Sequence, residues 1–414
     1  MAFEVIDGGI TSPKGFLAAG VHCGVKKSGR KDLSLLVSEK PAAAVGAFTT
    51  NLVKAAPLTL TEGLLNSAPE LQAVVINSGN ANAMTGEQGM ADAESMELAA
   101  AKALGIAPGL VAVASTGVIG RYMPMELILG GIKCAGRLLA RSTAASADAA
   151  EGIMTTDTFH KEVAVRTILT DGTVVTVAGM AKGSGMIAPA MKLNHATMLC
   201  FITTDACVSP GTLARLFGSS LDKSFNMINV DGDQSTNDMV LVLANGAAGN
   251  EPFEQDAAFA EALEFVCTSL AKQIVKDGEG ATKLFEVVVT GAASEEEGRS
   301  AAISVVRSNL VKAAIFGCDP NFGRIAAALG RAGCALDLGR LDVGLTSEKG
   351  SAMIIENGLP SGMSDPASIE KARRILQSPE LNITIDLGLG SHTARAWGCD
   401  LTYDYVKINA EYTT

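Results

Sequence analysis

AKGSGMIAPAMKLNHATMLCFITTDA, residues Ala181–Ala206, decides how the rest of the chain is read. A glycine-rich loop runs into an Ala-Thr bond, and the apolar run Met198–Ile202 follows at once and reads as a buried strand. Thr197 therefore stands at the mouth of that strand, where a hydroxyl is held rigidly and still faces a cleft. A threonine hydroxyl is a poor nucleophile until a base takes its proton. The four histidines, at 22, 160, 195 and 392, form no local pair with a serine or cysteine. An N-terminal threonine supplies its own base: if Ala196–Thr197 is cut, the new α-amine lies beside the hydroxyl with a reference pKa of about 7.7–8.0. Cutting needs only a side-chain oxygen that attacks the preceding carbonyl and donors for the oxyanion. By spacing alone most Ala-Thr pairs at a strand start are structural, so both readings stand at this point.

The bulk composition narrows the setting. A chain of 414 residues is long for one core and suggests two or three lobes. With 48% hydrophobic and 19% charged residues it is expected to fold as a globular protein. A net charge of −11 argues against a nucleic-acid partner, which requires a basic face. Eight cysteines without a CxxC pair read as free thiols in a reducing compartment. No charged segment leads into an apolar one at the start, and no apolar run reaches about 18 residues. A cytoplasmic, soluble protein without a membrane partner is expected.

In chain order, Asp32–Val37, Ala43–Thr50 and Ala73–Asn77 read as strands, and Glu87–Leu104 reads as a helix stopped by Gly105. Leu110–Ala114 is a strand emptying into Ser115-Thr116-Gly117, small residues whose amides suit an oxyanion hole, although by spacing alone such residues more often make an ordinary turn. Helices are expected over Met125–Leu139 and on to Ile153, followed by the loop TTDT, Thr155–Thr158. Glu162–Leu169 and Thr173–Val177 form a hairpin. A helix starts at Pro210. Asp231, Asp233 and Ser235 superficially suggest a calcium loop, but Gln234 replaces the needed glycine and no closing Glu follows, so no metal is expected. Phe259, Leu263, Val266, Leu270 and Ile274 recur at helical spacing, marking Phe253–Lys276 as an amphipathic helix ahead of Glu279, which lies between two glycines. Leu284–Thr290 is a strand, Ser308–Gly333 a helix pair broken at Asp319-Pro320, and Pro366–Leu376 a helix. Leu381–Leu387 and Leu401–Asn409 read as two antiparallel strands.

KGSGMI, ATML and TTDA in this order closely resemble the self-processing signature of the ornithine acetyltransferase (glutamate N-acetyltransferase) family of arginine biosynthesis. The resemblance extends over FTTNLVKAAP (Phe48–Pro57), NSGNANA (Asn77–Ala83), ASTGVIG (Ala114–Gly120), NVDGDQSTND (Asn229–Asp238), LVKAAIFGCDPNFGRI (Leu310–Ile325) and YVKINAEYTT (Tyr405–Thr414). It implies acetyl transfer from N2-acetylornithine to L-glutamate through an acetyl-Thr197 intermediate, after self-cleavage between Ala196 and Thr197. It assigns Thr116 and Gly117 to the oxyanion hole, and Glu279 to catalysis and substrate contact. Thr155 or Thr156, with preference for Thr156, joins Lys182, Asn409 and Thr414 as substrate contacts. Residues 1–196 become an α chain and 197–414 a β chain, intertwined and associating as α2β2. No cofactor is implied; some members also take acetyl-CoA as a substrate. The implied fold is α/β, with layered mixed sheets and outer helices, of the self-cleaving aminopeptidase and ornithine acetyltransferase type. Lys192–His195 stand between Met191 and Ala196 where the family pattern runs straight on, and Phe322 replaces its usual Trp. Two other readings stay open: a self-cleaving aminopeptidase or amidohydrolase of similar architecture, and an uncleaved, non-enzymatic binding protein.

Overall fold

One long strand, Leu33–Phe48, runs where two were expected. The polar Glu39-Lys40-Pro41 interrupts its apolar pattern without reversing the chain. Pairing with Glu70–Asn80 shifts register between Val37 and Ala42, and Pro41, which has no amide to donate, falls within that irregularity. The computed structural model describes residues 3–188, 192–193, 198–362 and 364–411. Ala196, Thr197 and Thr414 lie outside the described residues. The chain divides into two compact units, one drawn from 1–183, 189–225 and 233–274, the other from 184–188, 226–232 and 275–414. Both units take residues from either side of position 197.

The first unit is built on a ten-stranded mixed sheet. Its main path runs Phe3–Ile6, Lys161–Ile168, Val174–Lys182, Leu199–Thr204, Met239–Ala244, Leu33–Phe48, Glu70–Asn80, Val111–Val118. Phe16–Val21 and the short Lys192–Leu193 also pair with Leu33–Phe48. Alternate side chains point to opposite faces, so one strand set serves two cores. Leu35, Val75, Val111 and Val113 pack under the helices Gly86–Leu104 and Met125–Leu138 through Met96, Ala100, Ile128 and Ile132. Leu36, Val74, Ile76 and Ala114 join Met180, Phe201 and Leu241 in a second core, with Ala149 and Ala150 of the helix Thr143–Gly152. Gly105 adopts the left-handed conformation that ends Gly86–Leu104. The helix at 257–276 begins at Ala257 rather than Phe253, and all five residues of its predicted apolar stripe are fully buried.

The second unit holds a seven-stranded sheet in the order Ile228–Asn229, His392–Cys399, Leu284–Ala292, Glu380–Asp386, Asp342–Ser347, Gly350–Glu356, Leu359–Pro360. Asn309–Phe316 and Phe322–Gly330 are the broken helix pair, and Asn321 caps the latter through its side chain. The expected pair of antiparallel tail strands is not formed. Glu380–Asp386 pairs parallel with Leu284–Ala292, whose antiparallel neighbour is His392–Cys399. Tyr403–Glu411 is a helix without a buried residue. The tyrosines, valine and isoleucine there follow strand preferences, which reflect packing on a half-buried sheet, and no such burial is available to them. The described cysteines are all free.

Glu162, on Lys161–Ile168, is nearly buried, and its Oε1 has no hydrogen-bond partner among the described residues. Burial pushes its carboxyl up to about 7, against an opposing bond from the Ile10 amide. A folded-state value above the unfolded one means stability is lost as pH rises from the ordinary carboxylate range through 7. Glu162→Gln is therefore expected to raise the thermal midpoint at pH 8 and to leave it unchanged near pH 4.5. Equal midpoint differences at both pH values would contradict this.

Candidate active site

Val174–Lys182 and Leu199–Thr204 run antiparallel with Lys182 opposite Leu199, two residues beyond Thr197 in sequence. Lys182 is 8% exposed, and none of the described residues accepts a hydrogen bond from its ammonium. Its charge is felt by Asp157, an acid that the sequence reading passed over inside TTDT. Asp157 Oδ1 accepts from Lys161 Nζ at 2.7 Å and from the Gly183 amide at 2.7 Å. Oδ2 accepts from the Thr155 amide at 2.8 Å. Burial alone would push this carboxyl up. Lys182 and Lys161, with the bonds from Lys161 and Thr155, instead hold it well below the usual carboxylate range. Asp157 thus stays an anion that anchors both the Thr155 loop and the residue after Lys182. Thr155 and Thr156 are both half-buried on that loop.

Thr116 and Gly117 lie within the strand Val111–Val118, not in a turn beyond it. Gly117 has φ +131°, and a Cβ there would overlap the backbone of its partner Gly79. Only glycine combines that conformation with so close an approach. A net of amides holds this strand end. Ser115 Oγ is 2.5 Å from Asn77 Oδ1, and Asn77 Nδ2 donates to Asn80 O at 2.9 Å. Asn237 Nδ2 donates to Ala81 O at 2.6 Å and to Ser115 O at 2.8 Å. Asn237 precedes Met239 by two residues, as Thr197 precedes Leu199, and Met239 and Leu199 are parallel partners. Three strand spacings separate Met239–Ala244 from Val111–Val118 along the sheet, about 14 Å if it were flat. The loop before Met239 spans that distance: the Ala55 amide donates to Thr236 O at 3.0 Å, and Asn237 reaches on to the carbonyls of Ala81 and Ser115. The stretch rejected as a calcium loop thus carries a structural clamp. Its Asp231 accepts the amides of Met186 and Ile187, at 2.6 and 2.9 Å.

In the second unit Glu279 and Asn409 meet across 130 residues: Asn409 Nδ2 donates to Glu279 Oε2 at 2.8 Å. The Glu279 amide donates to Ser184 O at 2.9 Å, and a Cβ on Gly185 would overlap the Glu279 carboxylate. Glycine at 185 is thus the condition for that carboxylate's position. The same helical turn lets Asn409 donate to Tyr405 O at 3.0 Å, a contact the expected strand could not make.

Residues 17–414 match the ArgJ family. The chain belongs to the ArgJ family. An arginine biosynthesis bifunctional protein ArgJ from Symbiobacterium thermophilum is 53% identical over 417 residues, covering 99% of this chain and 100% of its own length. The glutamate N-acetyltransferase of Methanocaldococcus jannaschii is 47% identical over 411 residues, with 99% of this chain and 100% of that protein covered. Among solved structures, ornithine acetyltransferase of Mycobacterium tuberculosis complexed with ornithine is 42% identical to the matched part, which is 46% of this chain and 99% of that one, at a TM-score of 0.43. Of the motifs resembled in the sequence, NSGNANA and ASTGVIG fall on the strand ends just described, and LVKAAIFGCDPNFGRI on the helix pair of the second unit. Asp157, Lys161 and Asn237, which the sequence reading did not single out, hold those ends. No local pattern marks them: Asp157 is in a loop and Lys161 starts a strand, so helical i,i+4 spacing does not apply.

Asn237→Ala would leave the carbonyls of Ala81 and Ser115 without this donor. A cost of about 1–3 kcal/mol per stranded buried carbonyl is expected, read as a lower denaturation midpoint with an unchanged m-value. A midpoint equal to wild type would rule out the clamp.

Proposed function

We propose that the chain is a glutamate N-acetyltransferase of arginine biosynthesis that moves acetyl from N2-acetylornithine to L-glutamate by way of acetyl-Thr197. The observation that carries the reading is Lys182: a nearly buried cation without a hydrogen-bond acceptor among the described residues, opposite Leu199 on the strand that follows Thr197. A desolvated ammonium of this kind calls for an anionic ligand, and both amino acids carry an α-carboxylate. Membership of the ArgJ family and the names of its relatives from S. thermophilum and M. jannaschii support the same reaction.

In this reading the chain is first cut between Ala196 and Thr197, leaving the Thr197 α-amine as the base for its own hydroxyl. Oγ attacks the acetyl carbonyl of N2-acetylornithine, the C–N bond breaks, and ornithine leaves with the proton. The glutamate amine then attacks the acetyl ester, Thr197 Oγ leaves, and N-acetylglutamate forms. Backbone amides at Thr116 and Gly117 receive the oxyanion in both steps. Lys182 holds the α-carboxylate, Glu279 takes the ammonium group or moves the amide proton, and Thr156 (or Thr155), Asn409 and Thr414 complete the substrate contacts. The fragments 1–196 and 197–414 stay associated, as α2β2 in the cytoplasm, and acetyl-CoA serves as an alternative acetyl donor. No helix among the described residues is long and apolar enough to cross a membrane.

Intact mass and transfer assays test the mechanism. Wild type is expected as two fragments divided at 196/197 that transfer acetyl to glutamate, and Thr197→Ala as one inactive full-length chain. An alanine variant still cut and active would overturn it; acetate release without transfer would mark a hydrolase instead. Lys182→Met is expected to raise KM for both amino acids roughly 10- to 100-fold, the loss of one charge-assisted hydrogen bond.

A further inference from the structure

Residues His22–Lys31, HCGVKKSGRK, carry five basic side chains in an acidic chain, and the reaction above uses none of them. Asp32 turns this loop inward: its carboxylate accepts the amides of Cys23, Gly24 and Lys26, at 2.6, 3.1 and 2.9 Å. The loop then lies against the strand ends already described. A Cβ on Gly79, the partner of Gly117, would stand 3.0 Å from Val25 Cγ1 and 3.3 Å from Lys26 Cγ. Arg30 Nη2 donates to Thr155 O at 3.3 Å. Lys26 Nζ donates to Lys31 O at 2.6 Å, which employs one of its three protons.

The charges at this corner do not balance. Lys31 is answered by Asp148 and Glu151, and His22 Nδ1 stands 3.3 Å from Asp32 Oδ2. Of the other groups Lys26, Arg30, Lys161 and Lys182 are cationic and Asp32 and Asp157 anionic, so four positive charges face two negative ones. Both acids are moreover committed, Asp157 to Lys161 and two amides, Asp32 to three amides. Burial, then repulsion from Arg30, lowers the Lys26 ammonium to about 8; Asp32 and Asp157 oppose the shift and Lys182 adds to it. An anion with two separated charges would give Lys26 and Lys182 the direct ion pairs that neither makes among the described residues.

We infer that Lys26 is a specificity-determining residue that takes the side-chain carboxylate of a dicarboxylic amino acid whose α-carboxylate rests on Lys182. The inference rests on the proposed transfer reaction and deepens it. Donor and acceptor share an α-carboxylate, but the donor ends in an ammonium and the acceptor in a carboxylate. A site built around Lys182 alone does not distinguish them. A long, partly desolvated lysine on a loop reaches toward the acceptor's second charge and withdraws to the Lys31 carbonyl when the donor is bound.

The test uses the full chain as wild type, Lys26→Met and Lys26→Arg. Calorimetry measures binding of glutarate, a dicarboxylate without an amine to acetylate, and of N2-acetylornithine, which has one carboxylate. For Lys26→Met the glutarate Kd is expected to rise about tenfold relative to that of N2-acetylornithine, with the glutamate KM rising in parallel. Lys26→Arg, which keeps the charge, is expected to stay within about threefold of wild type. Equal weakening of both ligands, an unchanged glutarate Kd in Lys26→Met, or a wild type that does not bind glutarate would each overturn the inference. If wild type binds glutarate through Lys26 yet transfers no acetyl, the reaction fails and the dicarboxylate subsite stands. If it transfers acetyl and glutarate binding ignores Lys26, the subsite alone fails.

Discussion

The buried Asp157 carboxylate is the constraint on which the first unit's cationic corner depends. Asp157 and Lys161 are both fully withdrawn from water, 2.7 Å apart. Removing two such charges from solvent costs several kcal/mol per ion, and a single contact does not recover that. Here the carboxylate also accepts two backbone amides, from Thr155 and Gly183, and lies in the field of Lys182. The amides tie the loop after Thr143–Gly152 to the end of Val174–Lys182. The ion pair is best understood as a fixture for position: its net contribution to stability is small, but it dictates where Lys182 and the TTDT loop must be.

A second polar fixture holds the end of the strand Val111–Val118 as Asp157 holds the end of Val174–Lys182. Asn237 bridges the carbonyls of Ala81 and Ser115, which are distant from it in sequence by 156 and 122 residues. Gly117 and Gly79 then approach backbone to backbone, an approach that any side chain at Gly117 would block. In the second unit the same logic appears in smaller form, with Gly185 making room for the Glu279 carboxylate and Asn409 bonded to it. Apolar packing supplies most of the cohesion, through cores centred on Leu35 and Val113 on one side and Phe201 and Leu241 on the other. Polar bonds fix where the strand ends and loops carrying the candidate residues stand.

Element boundaries were legible where local chemistry is strong. Gly105 stops its helix, Pro366 starts one, and Asp319-Pro320 breaks another, because each acts on its own few residues. The five-residue apolar stripe of the helix at 257–276 was equally plain. The errors have a common cause. Pro41 looked like the end of a strand and is an irregularity within one. Tyr403–Glu411 looked like a strand because of its β-branched and aromatic residues, yet it has no sheet to lie on. In both cases strand preference expresses burial by neighbours, and the neighbours are chosen elsewhere in the chain.

What the sequence by itself determined is the elements with strong local end signals, the apolar stripe of the helix at 257–276 and, through its run of motifs, the ArgJ resemblance that names Thr197, Lys182 and Glu279. Hydrophobic period and turn chemistry act over a few residues and are written locally. What only the tertiary structure decided is the company each polar group keeps: Asp157 between Lys161 and Gly183, Asn237 on Ser115, Asn409 on Glu279, Lys26 against Gly79. A hydrogen bond requires placement within a few tenths of an ångström. That placement follows from strand register and from loops that join residues more than a hundred positions apart, which no local pattern encodes.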